Sequence, residues 1–366
     1  MSLIKEGLRI FSRSIKISFS GFAKYSGNDE QICNNIVSKC YNKEKQFFQA
    51  SLGNYPEFYS RDFGMCTASL IKLGYRDKII KTLEYALSHY SRNQITVLIT
   101  PEDKPINFPS IYSPDSVAYL FRSLRIAKAE NLVIKYKNFL NSEIKRFEEI
   151  IENGIIKYEH YSGMRDHAIV KSSCYDMIMA CMLCDEIEKI NKLVNKKVLD
   201  NRLKKYDLKK NLIKHYWNGR YFKNSINDDS FVAHNNVFPY WLDVINDKKM
   251  LSSSMNEIQR NDLDKPFPAK YVAERTSKGF VWQNIFVRNW ETDKIWTFLG
   301  IPYIDVLLKI NKKTAKMHIE QYKKLIEKNG FVEVYDKNGL PYKTLFFAAD
   351  TDMLWACMYL EIKKKK

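Results

Sequence analysis

The chain has 366 residues, 45% hydrophobic and 14% aromatic, which supplies apolar side chain for a sizeable core and excludes a disordered chain. Its net charge of +17 comes mainly from lysine, in runs such as the one around Lys204 and the terminal Lys363–Lys366. These read as a solvated surface, with a basic helical scaffold that binds RNA or protein without catalysis as the alternative. No stretch approaches the roughly 18 uninterrupted apolar residues of a membrane span, and the N-terminus has no clean apolar signal core, so a cytoplasmic protein without membrane contact is expected. Cys33, Cys40, Cys66, Cys174, Cys181, Cys184 and Cys357 are odd in number and scattered through helical patterns, which suits a reducing compartment. Cys181 and Cys184 form a CxxC with no second Cys or His pair at zinc spacing, and so read as buried thiols.

With 13 Gly and 10 Pro spread along the chain and no Ser/Gly linker, one domain is expected. Residues 1–54 form an N-terminal segment with the first outer helix, and 55–366 the remainder of the same body. Helical periodicity marks amphipathic segments from Arg76 (RDKIIKTLEYALSHY), Ala129 (AENLVIKYKNFLNSEIKRFEEII) and Thr314 (TAKMHIEQYKKLIEK). Between them lie shorter segments dense in apolar and aromatic residues, which begin near Asp62, Asp115, Asp166, Asn235, Trp296 and Asp350, in steps of 53, 51, 69, 61 and 54 residues. Six units, each with one amphipathic and one wholly buried helix, describe two concentric rings, an all-α (α/α)6 toroid. An open α-solenoid predicts similar pairs. Polar and aromatic residues before nearly every buried helix favour the closed ring, whose loops converge on one funnel, with inner helices starting near Asp62, Asp115, Asp166, Asn235, Trp296 and Phe346.

Taken in chain order, the segments at that funnel carry the candidate chemistry. Tyr59, Arg61 and Asp62 stand at the start of the first buried helix, where an Arg-Asp pair also serves as a helix-start ion pair. Tyr112 and Asp115 precede the second, where capping alone accounts for Asp115. The third loop offers Glu159, His160, Arg165, Asp166 and His167. A carboxyl that serves as a general acid must stay protonated near neutral pH through burial or a neighbouring negative charge; Asp166 is the candidate, and Glu159 the next, because Arg165 beside Asp166 lowers its pKa unless the side chain points away. Trp217, Tyr221 and Phe222 pack a hairpin, and Asn235 and Asn236 either cap a helix or reach the funnel. Trp282, Trp290 and Trp296 stand near Glu291 and Asp293, a combination of aromatic platform and carboxylate that suits sugar rings. Glu333, Tyr335, Asp336 and Gly339 form the last segment, with Tyr335 spaced to orient Glu333.

These segments resemble, in order, motifs of the six-hairpin glycosidases. Tyr59-x-Arg61-Asp62 is similar to the aromatic-x-Arg-Asp of glucoamylases, glycogen debranching enzymes and neutral invertases, in which the Asp holds sugar hydroxyls. Tyr112 to Asp115-Ser116 is similar to the start of their fourth helix, a second sugar contact. Met164-x-Asp166 resembles the Met-x-Asp that carries the acid, and Glu333-x-Tyr335-Asp336 the Glu-x-Tyr-Asp that carries the base. The resemblance runs from about Tyr55 to the C-terminus and implies a glycoside hydrolase acting on an oligosaccharide or α-glucan-like substrate, exo-acting and inverting. Asp166 is then the acid, Glu333 the base, and Tyr59, Arg61, Asp62, Tyr112, Asp115, Glu159, Arg165, Trp290, Trp296 and Tyr335 the substrate-binding side chains. Such chemistry calls for no metal and no organic cofactor.

Overall fold

Short polar side chains set where several helices begin. In the computed structural model, which describes residues 3–166, 168–273, 287 and 290–365, the first helix, α1 (Leu3–Ser20), stands outside the repeat. The repeat opens with α2 (Asp29–Lys39), where Asn28 and Gln31 cap each other's backbone in a capping box. It continues with α3 (Ser60–Lys72), α4 (Arg76–Tyr90) and α5 (Pro114–Ile126). The amphipathic run from Ala129 is broken at Tyr136 into α6 (Glu130–Lys135) and α7 (Lys137–Glu148). Then follow α8 (Cys174–Leu193), α9 (Leu208–Tyr216), α10 (Ala233–Trp241), α11 (Lys248–Arg260), α12 (Thr297–Leu307), α13 (Lys312–Asn329) and α14 (Ala356–Lys364).

The inner ring closes on itself: α3 packs on α5, α5 on α8, α8 on α10, α10 on α12, α12 on α14, and α14 back on α3. Outside it, α2, α4, α7, α9, α11 and α13 each lie against an inner helix. The buried face explains the composition. In α8 every residue from Cys174 to Leu183 is buried, whereas in α13 only Ala315, His318, Ile319, Tyr322 and Ile326 are, one stripe of an amphipathic helix. Where α3 crosses α5, Gly64 lets the backbones approach: a Cβ there would collide with the Tyr119 side chain. On the outer side of α5, Arg125 clamps α8 with two hydrogen bonds to Glu186, of 2.5 and 2.8 Å. The architecture is a single (α/α)6 toroid, and among the described residues its loops carry strands of two to four residues.

Two inner helices start later than the sequence suggests. The third begins at Cys174 rather than near Asp166, because Ser173 caps it by accepting from the Asp176 N–H at 3.0 Å. Asp166 consequently lies in the irregular loop before it. The sixth begins at Ala356 rather than near Phe346; the intervening segment is spent on turns in which Asp350 gathers backbone amides. Residues 1–54 hold both the first outer helix, α2, and α1, which crosses to the loops at one end of the ring. Among the described residues no helix is long and apolar enough to cross a membrane.

Candidate active site

The loops that precede the inner helices converge around a cavity of about 550 Å³, inside the range of small-molecule sites. Arg61 and Asp62 reach it from the first turn of α3, Asp166 from the loop before α8, Glu291 and Trp296 from the segment before α12, and Glu333 from the loop after α13.

Asp166 sits with its backbone N–H donating to Glu291 Oε1 at 2.6 Å. Burial raises its carboxyl to about 6, opposed by the Arg61 guanidinium and assisted by the Asp115 charge. Arg165 turns away from it. Its guanidinium lies 5.9 Å over the Tyr271 ring, with Nε 3.8 Å from Glu291 Oε2, and Tyr271 in turn donates to the Met164 carbonyl at 2.7 Å. Glu291 and Tyr271 together pin the acid loop from both sides.

Glu333 is 3% exposed. Gly330 ends α13 at φ +75, in the left-handed region that suits glycine, and the chain then runs through Phe331 to a bend at Glu333. Tyr55 donates to Glu333 Oε1 at 2.8 Å and the Asp350 N–H to Oε2 at 3.1 Å. A second backbone bond, Glu333 N to Asp350 O at 2.8 Å, fixes the loop from below. Burial raises the Glu333 carboxyl to about 8, against the lowering effect of these two donors. Asp350 is itself fully buried and accepts from Ser51 Oγ (2.6 Å), Gly53 N (3.0 Å), Asn54 N (2.5 Å) and Thr351 N (2.7 Å). It is the knot that brings the Tyr55 loop to Glu333.

Of the remaining expected residues, Tyr59, Arg61, Asp62, Trp290 and Trp296 line the same cavity. Asp62 accepts from Trp355 Nε1 at 2.9 Å, and burial lifts its carboxyl to about 6. Arg61 pairs with Asp115 through Nε at 2.5 Å while its buried Nη2 has no protein partner. Trp290 and Trp296 meet edge to face at 4.7 Å, with Trp296 Nε1 donating to the Trp290 carbonyl at 3.0 Å. Trp290, 8% exposed, is thus part of a buried aromatic wall.

Five residues expected in substrate contact are not among the lining side chains. Asp115 is fully buried one layer behind, accepting from Arg61, Ser113 and Tyr175. Tyr112 packs edge-on to Tyr161, and Arg165 lies behind the acid loop. Glu159, the alternative acid, is exposed and accepts from Tyr161 at 2.8 Å. Tyr335 is turned away from the cavity into the core against Phe267 because the bend at Glu333 breaks the strand alternation that would have put both side chains on one face; Tyr55 takes the expected bracing place. Asn236 pins the Phe222 backbone through both ends of its amide, at 2.8 and 2.9 Å, and Asn235 borders a separate void of about 30 Å³. His167 and Trp282 lie outside the described residues. Tyr55, Tyr271, Asp350 and Trp355 were not anticipated; Glu291 was visible as a carboxylate beside Trp290.

No protein-family model matches the sequence, and no curated protein is similar to it at a significant level. Solved structures are similar in fold. A rhamnosidase from Klebsiella oxytoca with rhamnose bound has a TM-score of 0.63 at 10% identity, over 94% of this chain and 65% of that one. Mannosylglycerate hydrolase from Thermus thermophilus in complex with glucose has a TM-score of 0.59 at 10% identity, over 93% of this chain and 100% of that one. A further glycosidase reaches 0.68 at 9% identity, over 92% and 96%. This chain spans 65% of the rhamnosidase's length and the whole of the mannosylglycerate hydrolase's. It has the six-hairpin fold on which these glycosidases are built.

Proposed function

We propose that this protein is a glycoside hydrolase that cleaves a terminal sugar by single displacement, with Asp166 as general acid and Glu333 as general base. The observation that carries the reading is the meeting of these two carboxyls, Glu333 buried and Asp166 half-buried, from loops three hairpins apart, in one aromatic-walled cavity. In the reaction Asp166 gives its proton to the glycosidic oxygen as the C–O bond breaks. Glu333 takes a proton from the water that attacks the anomeric carbon on the opposite face, an arrangement for which roughly 6.5–9.5 Å between the carboxyls is expected. Hydrogen bonds donated to both oxygens of Glu333 suit the ionised form a base requires. Asp62, Arg61 and Tyr59 supply hydroxyl partners, and Trp296 and Trp355 apolar faces for the sugar ring.

One observation favours exchanged roles. With the Glu333 carboxyl raised by burial to about 8 and that of Asp166 to about 6, the proton that the two carboxyls share near neutral pH sits mainly on Glu333. Asp166→Asn and Glu333→Gln separate the two readings. If Asp166 is the acid, Asp166→Asn loses on the order of 10²-fold or more on alkyl glycosides and far less on 2,4-dinitrophenyl glycosides, whose leaving group needs no proton. Glu333→Gln then loses rate on both and is rescued by azide. The mirror-image pattern exchanges the roles, and near wild-type rates in both variants overturn the proposal.

A further inference from the structure

The cavity has two chemistries. Its floor carries Arg61, Asp62, Asp166 and Glu333, whereas its mouth is formed by Phe108 and Phe346, 37% and 42% exposed, together with α1. From α1 the lining residues are Gly7, Ile10 and Phe11, an i, i+3, i+4 set on one helix face. Three polar side chains fasten the helix to the loops beside it. Arg9 Nη1 donates to the Gly53 carbonyl at 2.5 Å, Arg13 Nη1 to Asn54 Oδ1 at 3.0 Å and the Ala348 carbonyl at 3.1 Å, and Ser14 Oγ to the Thr344 carbonyl at 3.0 Å. Phe11 stacks on Phe346, with centroids 5.9 Å apart and planes 27° apart. Among the described residues the side chains here, Ile10, Phe11, Phe108 and Phe346, offer apolar faces and no hydrogen-bonding group, so a flat apolar ring can bury both its faces between them, whereas a second sugar ring can use only its apolar face and must keep its hydroxyls in water.

We propose that the glycoside cleaved here carries an aromatic leaving group, held at the mouth by Phe11, Phe108 and Phe346, instead of a second sugar. This takes the place of the oligosaccharide or α-glucan-like substrate expected from the sequence, and it rests on the glycosidase reading of the floor. The glycosidic C–O bond breaks, the aglycone leaves as a free alcohol or phenol carrying the acid's proton, and water supplies the hydroxyl of the released sugar. α1 is then part of the substrate site and determines its selectivity.

The test compares kcat/KM for 2-phenylethyl and methyl glycosides of glucose, mannose and rhamnose in both anomers. The two alcohols leave with similar ease, so the ratio reports the mouth. For the sugar that is cleaved, the phenylethyl glycoside is expected to be favoured on the order of 10- to 100-fold. Phe11→Ala and Phe346→Ala should each bring that ratio towards one, and a general loss of activity cancels in it. Saturation-transfer NMR with 2-phenylethanol, which involves no sugar, should show binding to the wild type that weakens in both variants. Cleavage with a ratio near one, a disaccharide of the same sugar cleaved as well as the phenylethyl glycoside, or no binding of 2-phenylethanol overturns the inference and leaves the glycosidase reading standing. Phenylethanol binding with no glycoside cleaved refutes the glycosidase reading, and the leaving-group assignment with it.

Discussion

Tyr55→Phe is the sharpest perturbation of the site, because it removes one hydroxyl and keeps the ring that packs edge-on to Tyr59. That hydroxyl donates to Glu333 Oε1 at 2.8 Å and stabilises the ionised carboxyl. A hydrogen bond to a charged group contributes about 1.5–3 kcal/mol, and one pKa unit corresponds to about 1.4 kcal/mol. Losing a donor to the charged form raises a pKa, so the Glu333 carboxyl should climb from about 8 by about one to two units. In a pH profile of kcat/KM the limb near 8 should move up by that amount while the limb near 6, set by Asp166, stays. The level between the limbs separates the two assignments. If Glu333 is the base, the productive state is the minor one and becomes about 10- to 100-fold rarer, so the plateau falls by that factor. If Glu333 is the acid, the productive state is already the major one and the plateau barely changes. An alkaline limb that does not move refutes the claim that Tyr55 sets this carboxyl.

Other consequences concern stability. Asp176 is 2% exposed and burial raises its carboxyl to about 8, so it folds protonated at neutral pH while the unfolded chain holds it ionised. Its destabilising contribution therefore grows as pH rises from about 4 to 8; Asp176→Asn should raise Tm by several degrees at pH 8.5 and much less at pH 5, and an equal effect at both pH values contradicts the assignment. Gly64→Ala adds a methyl against Tyr119 where α3 meets α5 and should cost about 1–3 kcal/mol in urea unfolding, whereas a neutral result would mean the inner ring yields at that crossing.

Most of the fold is legible in the sequence because burial leaves a long-range period. A helix enclosed by a second ring has no polar face, and segments such as Cys174–Leu183 announce this without any knowledge of their neighbours. Starts of helices are less visible. The Ser173-to-Asp176 spacing is a cap signal that places the third inner helix eight residues beyond Asp166, yet the richer chemistry of the Asp166 segment draws attention upstream. The site is legible only in part. Asp62, Asp166 and Glu333 are local to recognisable segments, whereas Tyr55 and Glu333 are 278 residues apart in the chain, and no local pattern couples them. Tyr335 departs from expectation for a local reason: two-residue alternation holds within a strand, and the bend at Glu333 lies just outside one. The role of α1 was hidden because its lining face, Gly7, Ile10 and Phe11, looks like any amphipathic stripe until the loops that fasten Arg9 and Arg13 are in place.

The central claim is that Asp166 and Glu333 face one sugar from opposite sides and act in a single displacement. Its most direct test is proton NMR of the anomeric signals during the first minutes of hydrolysis, before mutarotation, on whichever alkyl glycoside the wild-type protein cleaves. The first-formed sugar should carry the anomeric configuration opposite to that of the substrate, and a first product that retains the substrate's configuration would contradict it.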